Sequence, residues 1–114
     1  MPVLWIAFAW RNAGDRTREL SAVEQIETLY PRLSPTERAM ADYIILMADA
    51  DAEPGAEMNA EKLEEQYRAA KRVASLAPDS EWLWKYARAA RNTGRLREAV
   101  TALERMNPDR RWIE

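Results

Sequence analysis

At 114 residues, 47% apolar and 32% charged, the chain has the make-up of one compact domain rather than a disordered tail or a multidomain enzyme. Twenty alanines against three glycines favour helix and disfavour a turn-rich barrel or sandwich. The absence of cysteine and histidine removes the thiolate nucleophile, the disulfide framework, the usual zinc ligands and the commonest general base together.

The apolar opening, Val3 to Asn12, predicts a first helix that ends at Gly14, where a missing Cβ permits the left-handed turn that closes a helix. Asp15 then caps a second helix, with Leu20, Val23, Ile26 and Tyr30 on its apolar side and Arg18, Glu19 and Glu24 in solvent, stopping near Pro31. Ser34-Pro35-Thr36-Glu37 is a capping box with proline at the first helical position, pre-set in φ and lacking an amide proton that would have had no partner. Met40, Tyr43, Ile44 and Met47 follow at helical spacing. Residues 49–60 lose the apolar period and read as a longer loop. A fourth helix carries the alanine-rich stripe Leu63, Tyr67, Ala70, Ala74 and Ala77, narrow enough for another helix to approach closely, and Pro78 ends it. Leu83, Tyr86, Ala87 and Ala90 mark a fifth helix, closed by Gly94. Leu96, Ala99, Val100, Leu103 and Met106 mark a sixth, before Asn107-Pro108.

The expected architecture is all-α: an α–α superhelix of three antiparallel hairpins over about 2–31, 34–77 and 79–107. Glycines 41 and 39 residues apart, at Gly14, Gly55 and Gly94, have the spacing of helical-repeat arrays. An offset of 80 residues aligns Ala7, Ala9, Arg11, Asn12 and Gly14 with Ala87, Ala89, Arg91, Asn92 and Gly94, so the first and third hairpins read as one repeat used twice.

From Trp82 to Pro108 the order of residues resembles a tetratricopeptide repeat (TPR): bulky Leu83 and Tyr86, small Ala87 and Ala90, Gly94 at the turn, Leu96, small Ala99, bulky Leu103 and a closing proline. The segment from Leu33 to Glu114 is further similar to TPR-like regions beside bacterial signalling modules, through Leu33-Ser34-Pro35-Thr36-Glu37-Arg38, Ser75-Leu76-Ala77-Pro78 and the run Glu98 to Pro108. The hairpins are longer than the standard repeat, and Arg16 stands where the third hairpin has Leu96.

The resemblance implies a non-enzymatic module in which the first helix of each hairpin lines a concave face for a protein or peptide. That face would hold Leu4, Phe8, Arg11 and Asn12 from the first hairpin, Ile45 and Asp49 from the second, and Trp84, Arg88, Arg91 and Asn92 from the third. Aromatic anchors beside arginine forks are the residues from which binding hot spots are made. The bland alternatives are that Phe8 and Trp84 belong to the core, and that Arg11 and Arg91 only complement their own helix dipoles. At the chain ends Trp5, Trp10, Trp112 and Ile113 place large apolar residues where a solenoid normally has a polar cap, which points to a fragment of a longer array or to a homodimer.

Other chemistry finds little support. Asp49-x-Asp51-x-Glu53-x-Gly55 imitates a calcium loop, but Pro54 takes the place of its turn glycine and Ala60 that of its bidentate glutamate. Neighbouring carboxylates at Glu64 and Glu65, or Glu24 and Glu27, lack a nucleophile or a phosphate-cradling loop, so no catalytic residue, metal or cofactor is expected. The net charge of −2 conceals an asymmetry, with one positive and eight negative charges over residues 41–66 and eleven positive and six negative over 67–114. The near-neutral sum gives no reason to expect nucleic acid, and the asymmetry reads first as solvated helix faces and second as a polar binding surface. The apolar run Pro2 to Trp10 is half the length of a membrane span, and no basic residue precedes Ala7-Phe8-Ala9 to make a signal peptide. A cytoplasmic location is the default.

Overall fold

A computed structural model describes residues 2–50 and 60–106. Six helices follow one another: α1 (Pro2–Asn12), α2 (Arg16–Leu29), α3 (Pro35–Ala50), α4 (Ala60–Leu76), α5 (Ser80–Asn92) and α6 (Leu96–Met106), with a 3₁₀ turn at Tyr30–Arg32. No strand occurs among the described residues. The chain divides into two compact units, α1–α3 and α4–α6. The helices expected to form the middle hairpin, α3 and α4, therefore fall in different units.

The helix boundaries follow from side-chain chemistry. Asp15 Oδ1 accepts the Arg18 amide at 3.1 Å and opens α2, satisfying a donor that has no partner inside the helix. At α3 the capping box closes in both directions: Ser34 Oγ accepts the Glu37 amide at 3.2 Å, and Glu37 Oε1 accepts the Ser34 amide at 3.0 Å. These hydrogen bonds, that of the Ser34 backbone first, hold the Glu37 carboxyl below its ordinary pKa. Arg38 donates to the carbonyls of Pro31 and Tyr30, and Tyr30 Oη donates to Asp42 at 2.8 Å, which ties the 3₁₀ turn to α3.

The repeat seen at an offset of 80 residues is a repeated helix-ending turn. Gly14 (φ +75°) donates to the Arg11 carbonyl at 3.1 Å and Asp15 to that of Trp10 at 3.0 Å; Gly94 (φ +81°) donates to Arg91 at 3.0 Å and Arg95 to Ala90 at 2.8 Å. Each pair is a Schellman motif, which needs a left-handed residue at its centre. A Cβ at either glycine would meet nothing within 4 Å. Gly94→Ala should therefore cost only the backbone strain, about 1–2 kcal/mol, and Gly94→Asn less. Thermal melts of the two variants give that order directly.

In the first unit Leu4 and Ala7 of α1, Ala22, Val23 and Ile26 of α2, Leu33, and Ala41, Ile44 and Ala48 of α3 form one core. Burying a side chain such as Ile26 contributes roughly 1.5–3 kcal/mol, and the alanines let the helices approach. The apolar face of α2 is rotated from its expected register. Leu20 is exposed, and Glu19 is 4% exposed, because positions 19, 22, 23 and 26 share the inward face. Glu19 is matched there by Arg16, whose Nη1 lies 3.0 Å from its Oε1 while Nη2 donates to the Ala48 carbonyl at 2.8 Å. That carbonyl belongs to the last turn of α3, where acceptors lack intrahelical donors.

The second unit buries Tyr67, Ala70, Val73 and Ala74 of α4, Trp82, Leu83, Ala87, Ala89 and Ala90 of α5, and Ala99 and Ala102 of α6. In α6 the expectation is met only in part: Ala99 is buried as expected and Ala102 joins it, but Leu96 and Val100 are 62% and 53% exposed. Alanines on all three helices set a close packing in which methyls fill the space between backbones.

Candidate interaction surface

Asp79 Oδ1 accepts the Trp82 amide at 3.1 Å and starts α5. Its side chains divide sharply between two faces. Trp82, Leu83, Ala87 and Ala90 point inward, whereas Trp84, Arg88, Arg91 and Asn92 are exposed. At about 100° per residue, positions 84, 88 and 91 fall within roughly 60° of one another and make a single ridge. Trp84 is 49% exposed. Arg88 and Arg91 meet no carboxylate among the described residues. Beside the ridge, Lys85 Nζ lies 3.4 Å from Glu81 and is already paired.

The matching residues of α1 are arranged differently. Leu4 is a core residue of the first unit, so it is withdrawn from the candidate surface; its equivalent at the 80-residue offset is the exposed Trp84. Phe8 is half-buried and packs between Trp5 and Tyr43, with ring centroids 5.9 and 6.3 Å away. Arg11 is half-buried and engaged, and Asn12 is exposed. Ile45 packs against the core and Asp49 is exposed at the end of α3. Trp5 and Ile6 are exposed. Trp10 is half-buried beneath Arg18, whose guanidinium carbon sits 4.5 Å from the ring centroid, a geometry in which the cation faces the negative π-surface. Trp112 and Ile113, and the acidic run beyond Asp49 that imitates a calcium loop, lie outside the described residues.

Sequence reading misses the polar cluster that joins the three helices of the second unit. Glu98 Oε2 of α6 accepts from Tyr67 Oη of α4 at 2.5 Å and from Tyr86 Oη of α5 at 2.6 Å. Lys71 Nζ donates to Tyr67 Oη at 3.2 Å and lies 3.9 Å from Glu98. Arg95 holds Glu64 through two bonds of 2.8 and 2.9 Å while its guanidinium stacks 4.0 Å from the Tyr67 ring centroid. Hydrogen bonds from Tyr67 and then Tyr86 hold the Glu98 carboxyl below its ordinary range, and Arg95 does the same for Glu64. Burial first, and the Glu98 bond second, push the Tyr86 phenol well above its ordinary value. The cluster joins α4, α5 and α6 by charge-assisted bonds and orients α5, with its ridge pointing outward.

Among the described residues no group of three or more acidic side chains is placed to hold a metal ion, and no helix is long and apolar enough to cross a membrane. Comparison of the chain with known protein families, with curated proteins and with solved structures finds no match.

Proposed function

We propose that the chain is a non-enzymatic, TPR-like interaction module that presents the outer ridge of α5 to a protein or peptide, within a bacterial signalling or regulatory protein. The observation that carries this reading is the ridge itself: a half-exposed tryptophan in line with two arginines that meet no described carboxylate. The helix that carries the indole and the guanidiniums is fixed by core contacts, so docking orders side chains only and no backbone, which lowers the entropy lost on binding. Selection of a displayed random-peptide library on the chain should enrich binders. Trp84→Ala with Arg91→Ala should then weaken them at least about tenfold, the loss of one hot-spot contact, with helicity by circular dichroism unchanged. Equal affinity for the variant would refute the ridge.

A second reading, self-association through α1, is favoured by the exposure of Trp5 and Ile6, since adjoining apolar side chains in solvent mark contact surfaces. It requires the molar mass by light scattering to double at micromolar concentration and to return to that of a monomer with Trp5→Asp.

A further inference from the structure

We infer that the partner segment seated on the α5 ridge is acidic and carries an apolar or aromatic side chain beside its carboxylates. This rests on the reading of α5 as the docking face and adds the chemistry of the occupant. Between residues 60 and 106 the chain has ten Lys and Arg against seven Asp and Glu, and the surplus is localised. Arg68 pairs with Glu64, Lys71 with Glu98, Lys85 with Glu81 and Arg95 with Glu64, and Lys62 and Arg72 are also engaged. The guanidiniums left without a described carboxylate are Arg88 and Arg91 on α5 and Arg97 and Arg105 on α6.

On α5 the two free forks follow Trp84 one and two helical turns further along the ridge, which a carboxylate one helical turn from an apolar side chain would match on a facing segment. On α6, Arg97 and Arg105 line a groove of about 220 Å³ together with Tyr86 and Thr101. Glu98 also lines it, but its charge is already met by two phenolic donors and Lys71. Tyr86 lies on the far side of α5 from Trp84, so this groove adds to the positive field of the unit and is not part of the ridge. A basic partner would be repelled by that field, and a neutral one would leave the guanidiniums unpaired within the contact.

The test is the composition of the peptides that the full chain enriches from a displayed random library, with a parallel selection on the Trp84→Ala, Arg88→Ala, Arg91→Ala variant. The inference expects Asp and Glu next to an aromatic or aliphatic residue, absent from the variant's pool. Affinity for a synthesised member should fall at least about tenfold with Arg88→Glu plus Arg91→Glu, by the loss and reversal of close charge pairs, and should weaken as salt shortens the screening length. A neutral or basic pool that the variant fails to retain would overturn the acidic partner and leave the α5 reading standing. An acidic pool retained by the variant, or no enrichment at all, would overturn both. A concentration-dependent dimer dissolved by Arg88→Glu plus Arg91→Glu would make a second copy of the chain the occupant and overturn the inference.

Discussion

Trp82→Ala should destabilise the fold by about 3–5 kcal/mol, whereas Trp84→Ala, two residues further on, should cost only about 1 kcal/mol. The side chains are identical and the helix is the same; only the face differs. Trp82 is 1% exposed and is the largest of the fully buried side chains among the described residues. Removing it leaves a cavity that short methyl side chains cannot reach across, so the transfer and the cavity contributions add. Trp84 already has nearly half its surface in water, so its loss forfeits less buried area and opens no enclosed cavity. Urea denaturation of the two variants measures the contrast, and the binding assay should reverse it: Trp84→Ala folds and does not bind. Similar destabilisation by both substitutions would mean that Trp84 is also core.

Glu98→Ala should cost about 1–3 kcal/mol, because the Tyr67 hydroxyl, on a buried side chain, loses its acceptor. It should also flatten the acid limb of the stability profile. Glu98 and Glu64 have folded pKa values below the ordinary 4.5, so the unfolded chain binds more protons on that limb. Their contribution is fully present above 4.5 and is lost as pH falls through the lower, folded values. Tyr86 has the opposite sign. Its folded pKa is raised above the ordinary 10.0, so its contribution is complete below 10.0 and is lost as pH rises beyond it. Thermal unfolding as a function of pH should therefore show a plateau bounded on the acid side by the carboxylates and on the alkaline side by the phenol, with Glu98→Ala weakening both edges. An unchanged acid edge in Glu98→Ala would show that ionisation of Glu98 contributes nothing to it.

The features legible in the sequence are those decided within one turn of helix. The Ser34–Glu37 capping box, the Asp15 cap and the left-handed turns at Gly14 and Gly94 depend on residues three to five apart, and each is in place. The faces of α2 and α6 were harder to read because alanine is ambiguous. Ala22, Ala99 and Ala102 are buried for their small size, while the more hydrophobic Leu20, Leu96 and Val100 remain in solvent. Close helix packing selects for volume before hydrophobicity. The burial of Glu19 is not legible either, since its partner Arg16 is anchored by an acceptor 32 residues away at Ala48. The Glu98 cluster is invisible for the same reason: Tyr67 and Glu98 are 31 residues apart, and only the packing of α4–α6 brings them together.

On α5 the regular apolar stripe of Leu83, Tyr86, Ala87 and Ala90 defines the inward face, and Trp84, Arg88, Arg91 and Asn92, outside it, are exposed. The candidate residues on α1 were less secure. Its apolar residues are nearly continuous, so periodicity did not separate Leu4, which is core, from Trp5 and Ile6, which are exposed.

If the ridge of Trp84, Arg88 and Arg91 is the docking face, it is open in the free chain and covered by the partner. Hydroxyl-radical footprinting of the five tryptophans, read residue by residue by mass spectrometry with and without a library-selected peptide, addresses both halves in the native sequence. Trp84 should be oxidised readily in the free chain and protected in the complex, while Trp82 should be protected in both. A Trp84 already shielded in the free chain, or one that stays reactive when the peptide is bound, would contradict the ridge as the docking face.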